Sequence, residues 1–312
     1  MERSHDSPEV ALDCACTLGE SAVWSRAEAA LYWVDLRAPS LHRLDPSTGA
    51  TATWPMPELI GGVVLRDGGG LLVALQSGIH AFDRATGACT LLVAPERPRP
   101  DHRLNETKAD RAGALWTSTM RDFGLTATGS LYRIGDDLVP HRVLGDLRVP
   151  NALCWSPDDT TMYFADTRDG RLCAYAWNRD SGALGSMRVL VDVGVLPGAP
   201  DGATVDAEGC LWNARYGGGT VARITPDGVI DRVVRLPVPN ATSCALGGPD
   251  LRTLYVTTAR QRMTADELAA APHAGALFAL RVATPGLPEP ACRLHAVPRM
   301  PDDALHLSKG TS

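Results

Sequence analysis

The chain has 312 residues, of which 45% are hydrophobic and 21% charged, so a disordered polymer is excluded. A net charge of −6 lacks the basic stripe that a nucleic-acid surface needs, and no run of about 20 apolar residues offers a membrane span. With 30 glycines and 23 prolines, the composition favours many short turns over long helices.

The first eight or so residues are polar and carry no secretory signal, so a loosely held start is expected, with a cytoplasmic setting. Cys14 and Cys16 follow. Two thiols alone do not make a metal site, and packing at an edge strand is the expectation. The remaining cysteines, at 89, 154, 173, 210, 244 and 292, form no CxxC pair and sit mainly in apolar runs.

A repeated phrase then organises the chain. It consists of an apolar strand, a turn with Asp, Gly or Pro, a strand centred on an aromatic residue or Leu, and a further strand. The first copy spans 22–49 and the second 62–87. The third spans 106–120 and resumes at 129–134. The fourth spans 152–177 and the fifth 202–228. The sixth spans 244–260 and resumes at 275–282. One marker per copy, Tyr32, Leu72, Trp116, Tyr163, Trp212 and Tyr255, gives steps of 40, 44, 47, 49 and 43 residues. Several short strands at such a period predict an all-β, six-bladed β-propeller. Apolar and polar residues alternate in LYWVDL and TVARI, as half-buried strands require. DPSTG, DRATG, SPDD, DAEG and TPDG mark turns. The best helical signal is Thr264 with Glu267 three residues on, in a loop of the sixth copy. One domain is expected over 1–312, with an ordered core of about 9–297 and flexible tails at both ends.

Eleven or twelve residues before each marker stand Glu20, Ile60 or Gly61, Asn105, Asn151, Asp201 and Ser243. Pseudo-symmetry gathers these positions around one axis, at a mouth of the central channel. Taken singly, each is an ordinary turn or strand-cap residue. Taken together, two carboxylates and an amide make an all-oxygen site for a hard divalent cation, Ca²⁺, Mn²⁺ or Mg²⁺, with Zn²⁺ or Fe²⁺ as further options. Such a set leaves coordination positions open for water and substrate.

At these residues the chain resembles the gluconolactonase/regucalcin (senescence marker protein-like) family of sugar lactonases. The matching phrases are LGESAVW, RLNETKADRAGALWTSTM, PNALCWSPDDTTMYFADT, PDGATVDAEGCLWNARYGGGTVARITPDG and ATSCALGGPDLRTLYVTTARQRMTADELAAAPHAGALFAL, in the family's order from about Leu18 to Leu280. The last two are similar to the bacterial branch that includes xylonolactonases. The resemblance implies the same six-bladed propeller. It implies that Glu20, Asn151 and Asp201 hold one divalent metal, and that Arg103 and Asn105 bind the lactone. Asn105 also falls in the ring of repeat positions, whereas Arg103 rests on the resemblance alone. Two segments depart from the family pattern: Glu106-Thr107 replaces Asp-Gly, and Arg121-Asp122 stands where some members carry acidic substrate-binding residues.

The implied reaction is hydrolysis of a sugar γ- or δ-lactone, such as a pentonolactone or gluconolactone, to its aldonic acid. Metal and Arg103 would polarise the carbonyl, and Asp201 is the candidate general base. Three other readings share the fold: a non-catalytic Ca²⁺-binding regulator, a metal-dependent esterase or organophosphatase, and a protein-binding scaffold. The oligomeric state is left open.

Other residues carry weaker signals. His102 abuts Arg103 and offers a second route into the site, against an ordinary surface role. Lys108 follows the substrate phrase, where a solvated or ion-paired strand residue is expected. The run from Tyr216 to Gly219 reads as a tight turn, because it lacks the Lys and helix of a phosphate loop. No G-x-S-x-G elbow supports a serine hydrolase. Trp24, Trp116, Trp155 and Trp212 read as spacers between blades.

Overall fold

The computed structural model describes residues 7–294 except 98 and 125. The tail expected beyond 298 and most of the expected N-terminal tail lie outside the described residues.

The first strand, β1 (Glu9–Leu12), precedes the repeats. Blade 1 is β2 (Gly19–Ser25), β3 (Ala30–Asp35), β4 (Ser40–Asp45) and β5 (Ala50–Pro55). Blade 2 is β6 (Ile60–Leu65), β7 (Leu71–Leu75), β8 (Gly78–Phe82) and β9 (Cys89–Val93). Blade 3 is β10 (His102–Ala109), β11 (Leu115–Arg121), β12 (Gly129–Ile134) and β13 (Pro140–Leu147). Blade 4 is β14 (Pro150–Trp155), β15 (Thr161–Asp166), β16 (Leu172–Asn178) and β17 (Ala183–Val191). Blade 5 is β18 (Ala199–Val205), β19 (Leu211–Tyr216), β20 (Thr220–Ile224) and β21 (Ile230–Arg235). Blade 6 is β22 (Ala241–Gly247), β23 (Thr253–Thr258) and β24 (Leu277–Arg281), completed by β1, which pairs antiparallel with β24.

Five sheets run in chain order from inside to outside, the sixth runs β22, β23, β24 and then β1, and the inner strands adjoin their neighbours until β22 meets β2. The fold is the expected six-bladed β-propeller. Every blade has a fourth strand that the repeated phrase did not include. The reason is burial: β14 is buried along its whole length, whereas β17 is exposed over most of it. An outer strand therefore carries little apolar signal. The core lies between blades, as in face-to-face sheet packing. Tyr32 and Val34 of blade 1 cluster with Val63 and Leu71 of blade 2, and Tyr163 of blade 4 clusters with Ala203 and Ile224 of blade 5.

The repeats match at atomic detail. The Asp110 carboxylate accepts the N–H groups of Ala112 and Ala114 and the indole N–H of Trp116. Asp206 does the same for Glu208, Cys210 and Trp212. All four tryptophans noted above are buried spacers. They occupy two repeat positions, however: Trp24 and Trp155 on inner strands, Trp116 and Trp212 on second strands. Cys14 and Cys16 lie in the link from β1 to β2 and pack on the cluster holding Trp24 and Trp33. The helix α1 (Ala265–Ala270) has the expected capping box between Thr264 and Glu267. Among the described residues, no helix is long and apolar enough to cross a membrane.

Candidate active site

All six inner strands lose regular register near their starts, at the repeat positions singled out above. Such irregularities re-aim side chains and are common beside active sites. In blades 1 and 4 the residue after the ring position takes the left-handed conformation, with φ of 53° at Ser21 and 57° at Ala152. Glu20, Asn105, Asn151 and Asp201 thereby share the lining of one cavity of about 290 Å³. This is near the lower end for small-molecule pockets, about 300–1,000 Å³, and suits a ligand of one sugar ring. Ile60 and Ser243 do not line it. Ile60 is buried in the apolar layer between blades 1 and 2, and Ser243 donates its N–H to Thr257 Oγ1.

Glu20 and Asp201 form a strained electrostatic pair. Burial, then the nearby Glu106 carboxylate, pushes the Glu20 pKa up to about 8, against a smaller opposing pull from Arg103. Burial, then Glu20 itself, holds Asp201 well above the usual carboxylate range. Among the described residues, neither carboxylate has an ion-pair partner or a hydrogen bond from another side chain. Such carboxylates are costly without a compensating cation.

The amides are oriented by a directional chain of hydrogen bonds. Arg103 Nη1 donates to Asn105 Oδ1 at 2.5 Å. Asn105 Nδ2 donates to Pro150 O at 2.8 Å and, more weakly, to Asn151 Oδ1 at 3.3 Å. Asn151 Nδ2 donates to Thr167 Oγ1 at 2.8 Å, and Thr167 Oγ1 donates to Pro200 O at 2.7 Å. Because the Asn151 N–H₂ faces Thr167, its oxygen faces the ring. Two unpaired carboxylates and an oriented amide oxygen fit a hard divalent cation. Among the described residues, no group of three or more His, Cys, Asp or Glu side chains is arranged for metal, so the amide is essential to that fit.

Arg103 is 6% exposed. Its Nε donates to Asp122 Oδ1 at 2.6 Å. Asp122 also receives Arg37 Nη1 and Nη2, each at 2.7 Å. Burial raises the Asp122 pKa, but the hydrogen bonds from Arg37 and the charge of Arg103 outweigh it and hold the carboxyl below its ordinary range. The departing Arg121-Asp122 segment therefore contributes a wall residue: Asp122 is engaged by two arginines.

Arg37, Thr167, Arg168, Tyr216, Gln261 and Arg262 also line the pocket and were not anticipated. A signal existed for two of them. Asp35-x-Arg37 and Asp166-x-Arg168 repeat at equivalent blade corners. Each Asp Oδ1 accepts the arginine N–H two residues on, at 3.0 and 3.1 Å.

His102 neither lines the pocket nor lies at the surface: it is buried. Its ring nitrogens bond Asp101 Oδ1 and Thr128 Oγ1, away from the pocket. Lys108 is not a solvated strand residue. Its Nζ donates to Ala203 O at 2.6 Å, deeper in the channel, and Glu289 and Glu106 hold it protonated against burial. The glycines after Tyr216 form the expected turn between β19 and β20.

The model of the SMP-30/Gluconolactonase/LRE-like region matches residues 18–260. A 6-deoxy-6-sulfogluconolactonase of Pseudomonas putida is 40% identical over 88% of this chain and 94% of its own. An L-arabinolactonase of Azospirillum brasilense is 36% identical over 92% of this chain and 96% of its own. Among solved structures, the calcium-binding regucalcin of Agrobacterium tumefaciens superposes with a TM-score of 0.87 at 32% identity, covering 91% of this chain and 97% of that one. With the family model matching most of the chain, relatives at 36–40% identity and a shared propeller fold, the chain belongs to the SMP-30/gluconolactonase/LRE-like family.

Proposed function

We propose that this protein is a sugar lactonase that opens the ring ester of an aldonolactone, with one divalent cation held by Glu20, Asn151 and Asp201. The observation that carries the reading is the pocket floor, where two unpaired carboxylates and an oriented amide oxygen stand beside the Arg103 guanidinium. When bound, the cation supplies Lewis acidity toward the lactone carbonyl.

The chain's own residues do the rest. Arg103, fixed by Asp122, donates to the carbonyl or a ring hydroxyl, and Asn105 orients the ring through its amide. Water adds to the carbonyl carbon while Asp201 Oδ accepts its proton. The acyl carbon–ring oxygen bond then breaks, and that proton reaches the departing hydroxyl. The sum is lactone plus water giving a hydroxy acid. A role limited to cation binding leaves the 290 Å³ cavity and its arginines without use.

Metal-stripped protein is assayed for acid release from a panel of pentono- and hexonolactones, with Ca²⁺, Mn²⁺, Fe²⁺ or Zn²⁺ restored singly. Metal-dependent turnover, lost in Glu20→Ala, is expected. Cation binding without turnover of any lactone would move the reading to a regulator, and turnover of aryl esters alone to an esterase.

A further inference from the structure

The pocket carries more positive charge than a neutral sugar ring requires. Arg37, Arg103, Arg168 and Arg262 all line it. Asp122 engages the first two. Glu20 and Asp201 lie at the floor and are assigned to the cation. Arg168 and Arg262 are exposed at the mouth, and among the described residues neither guanidinium has a hydrogen bond or ion pair. Neighbouring acids are engaged elsewhere. Asp166 accepts the N–H groups of Arg148, Val149 and Arg168, Asp169 pairs with Arg148, and Glu267 caps its helix through Thr264.

Both arginines are placed by specific local structure. Arg168 is the blade-4 counterpart of Arg37, set by the same Asp-x-Arg corner. The blade-1 arginine is tied to Asp122 and the blade-4 arginine is free. Arg262 occupies the third position of a turn closed by Met263 N–H to Arg260 O at 3.1 Å, with φ of 65°. That position favours glycine. A strained turn residue bearing a long cationic side chain on a pocket wall points to a ligand contact. The turn is pinned to the wall, since Gln261 Oε1 accepts from Arg37 Nε and Gln261 O accepts from the Tyr216 hydroxyl.

We infer that Arg168 and Arg262 form an anion subsite at the pocket mouth, so that the preferred lactone carries a carboxylate, sulfonate or phosphate at the end of its carbon chain remote from the ring carbonyl. Guanidinium groups bind such oxyanions through charge-assisted, often paired hydrogen bonds. This rests on the lactonase reading for its substrate and on the two free arginines for its anion.

The test compares a neutral hexonolactone with its 6-carboxylate, 6-sulfonate and 6-phosphate counterparts, using the metal-loaded protein and an Arg168→Gln/Arg262→Gly double variant. The wild type is expected to favour at least one anionic lactone tenfold or more in kcat/KM, with the preference shrinking as salt rises. In the double variant the anionic-to-neutral ratio falls at least tenfold, through KM. Equal turnover of neutral and anionic lactones by the wild type, or an unchanged ratio in the variant, overturns the subsite. Arg262→Gly alone keeps or raises the melting temperature, which separates lost recognition from lost folding. If no lactone is hydrolysed, the lactonase reading fails by itself. The subsite is then read from thermal shifts with the matching 6-substituted, non-lactone sugars. A shift in the wild type that the double variant lacks supports it, and equal shifts overturn it.

Discussion

Asp122 Oδ1 and Oδ2 accept hydrogen bonds of 2.7 Å from the two terminal nitrogens of Arg37, joining the end of the second strand of blade 3 to the corresponding corner of blade 1. The same carboxylate holds Arg103 Nε at 2.6 Å. One acid thus sets the positions of two guanidinium groups over the cavity.

Asp122→Asn should therefore act on substrate binding as well as stability. Two guanidinium groups lose their charged partner, and breaking so buried a network costs about 3 kcal/mol. KM is expected to rise about tenfold or more, with a smaller loss in kcat. The pH dependence has a definite sign. The folded carboxyl lies below its ordinary range, so its stabilisation is complete above the unfolded value of about 3.9 and is lost as pH falls through the lower folded value. Urea melts from pH 7 down to pH 3 should show the stability gap between wild type and variant closing only at the acid end. A gap constant with pH would mean that Asp122 contributes shape and not charge.

Metal addition should stabilise the protein, because a ligand that binds only the folded state raises stability by mass action. At a cation concentration 100-fold above Kd the gain is about 2.7 kcal/mol. Glu20→Gln removes one of two mutually repelling carboxylates, the half-buried partner of buried Asp201. The metal-free variant should melt at or above the wild-type temperature, yet show little upward shift with Ca²⁺ or Mn²⁺. Equal metal-induced shifts in both proteins would exclude Glu20 as a ligand.

Much of this site was legible because of the repeat. Glu20 and Asn151 are the last paired residues before the register shift of their inner strands, Asn105 and Asp201 stand one position further on inside it, and pseudo-symmetry carries this short segment to the axis. Arg37 and Asp122 were not legible as a pair, since they are 85 residues apart and meet through side chains reaching from loops of different length. Arg262 sits in the β23–β24 connection, which carries α1 and has no counterpart in the other copies. The closure of blade 6 by β1 was hidden for another reason. It joins the two ends of the repeat array, and Glu9–Leu12 is too exposed to show an apolar pattern.

Close packing at the axis gives a test of how tightly Asp201 is held. A Cβ added at Gly202 would stand 2.9 Å from both Cα and Cβ of Ser243 on the neighbouring inner strand. Backbone must move to accept it, at about 1–3 kcal/mol. Gly202→Ala is expected to lower the melting temperature and to reduce kcat more than tenfold through displaced Asp201. Gly135→Ala is the control, since its Cβ would meet only Asp137 Oδ1 at 3.6 Å. Equal behaviour of the two variants would show that the ring tolerates movement.

The far end of blade 5 offers a change that separates folding from catalysis. Asp206 is 0% exposed and accepts hydrogen bonds from Glu208 N, Cys210 N, Trp212 Nε1 and Arg223 Nε, at 2.8 to 3.1 Å. Arg223 spends its other nitrogens on Asp231 and Glu208, each at 2.6 Å. Asp206→Ala leaves buried donors unpaired and strips Arg223 of its enclosed partner, which costs about 3–5 kcal/mol. At about 2–4 °C per kcal/mol, the melting temperature should fall by about 10 °C. Asp206→Asn keeps one acceptor oxygen and should lose less. Asp206 lies at the turn after β18, whereas Asp201 lies near the start of that strand, at the pocket. The folded fraction of Asp206→Ala, assayed well below its melting temperature, should keep wild-type kcat/KM. A parallel loss of kcat/KM and stability would mean that the latch at one end of the inner strand sets the position of the carboxylate at the other.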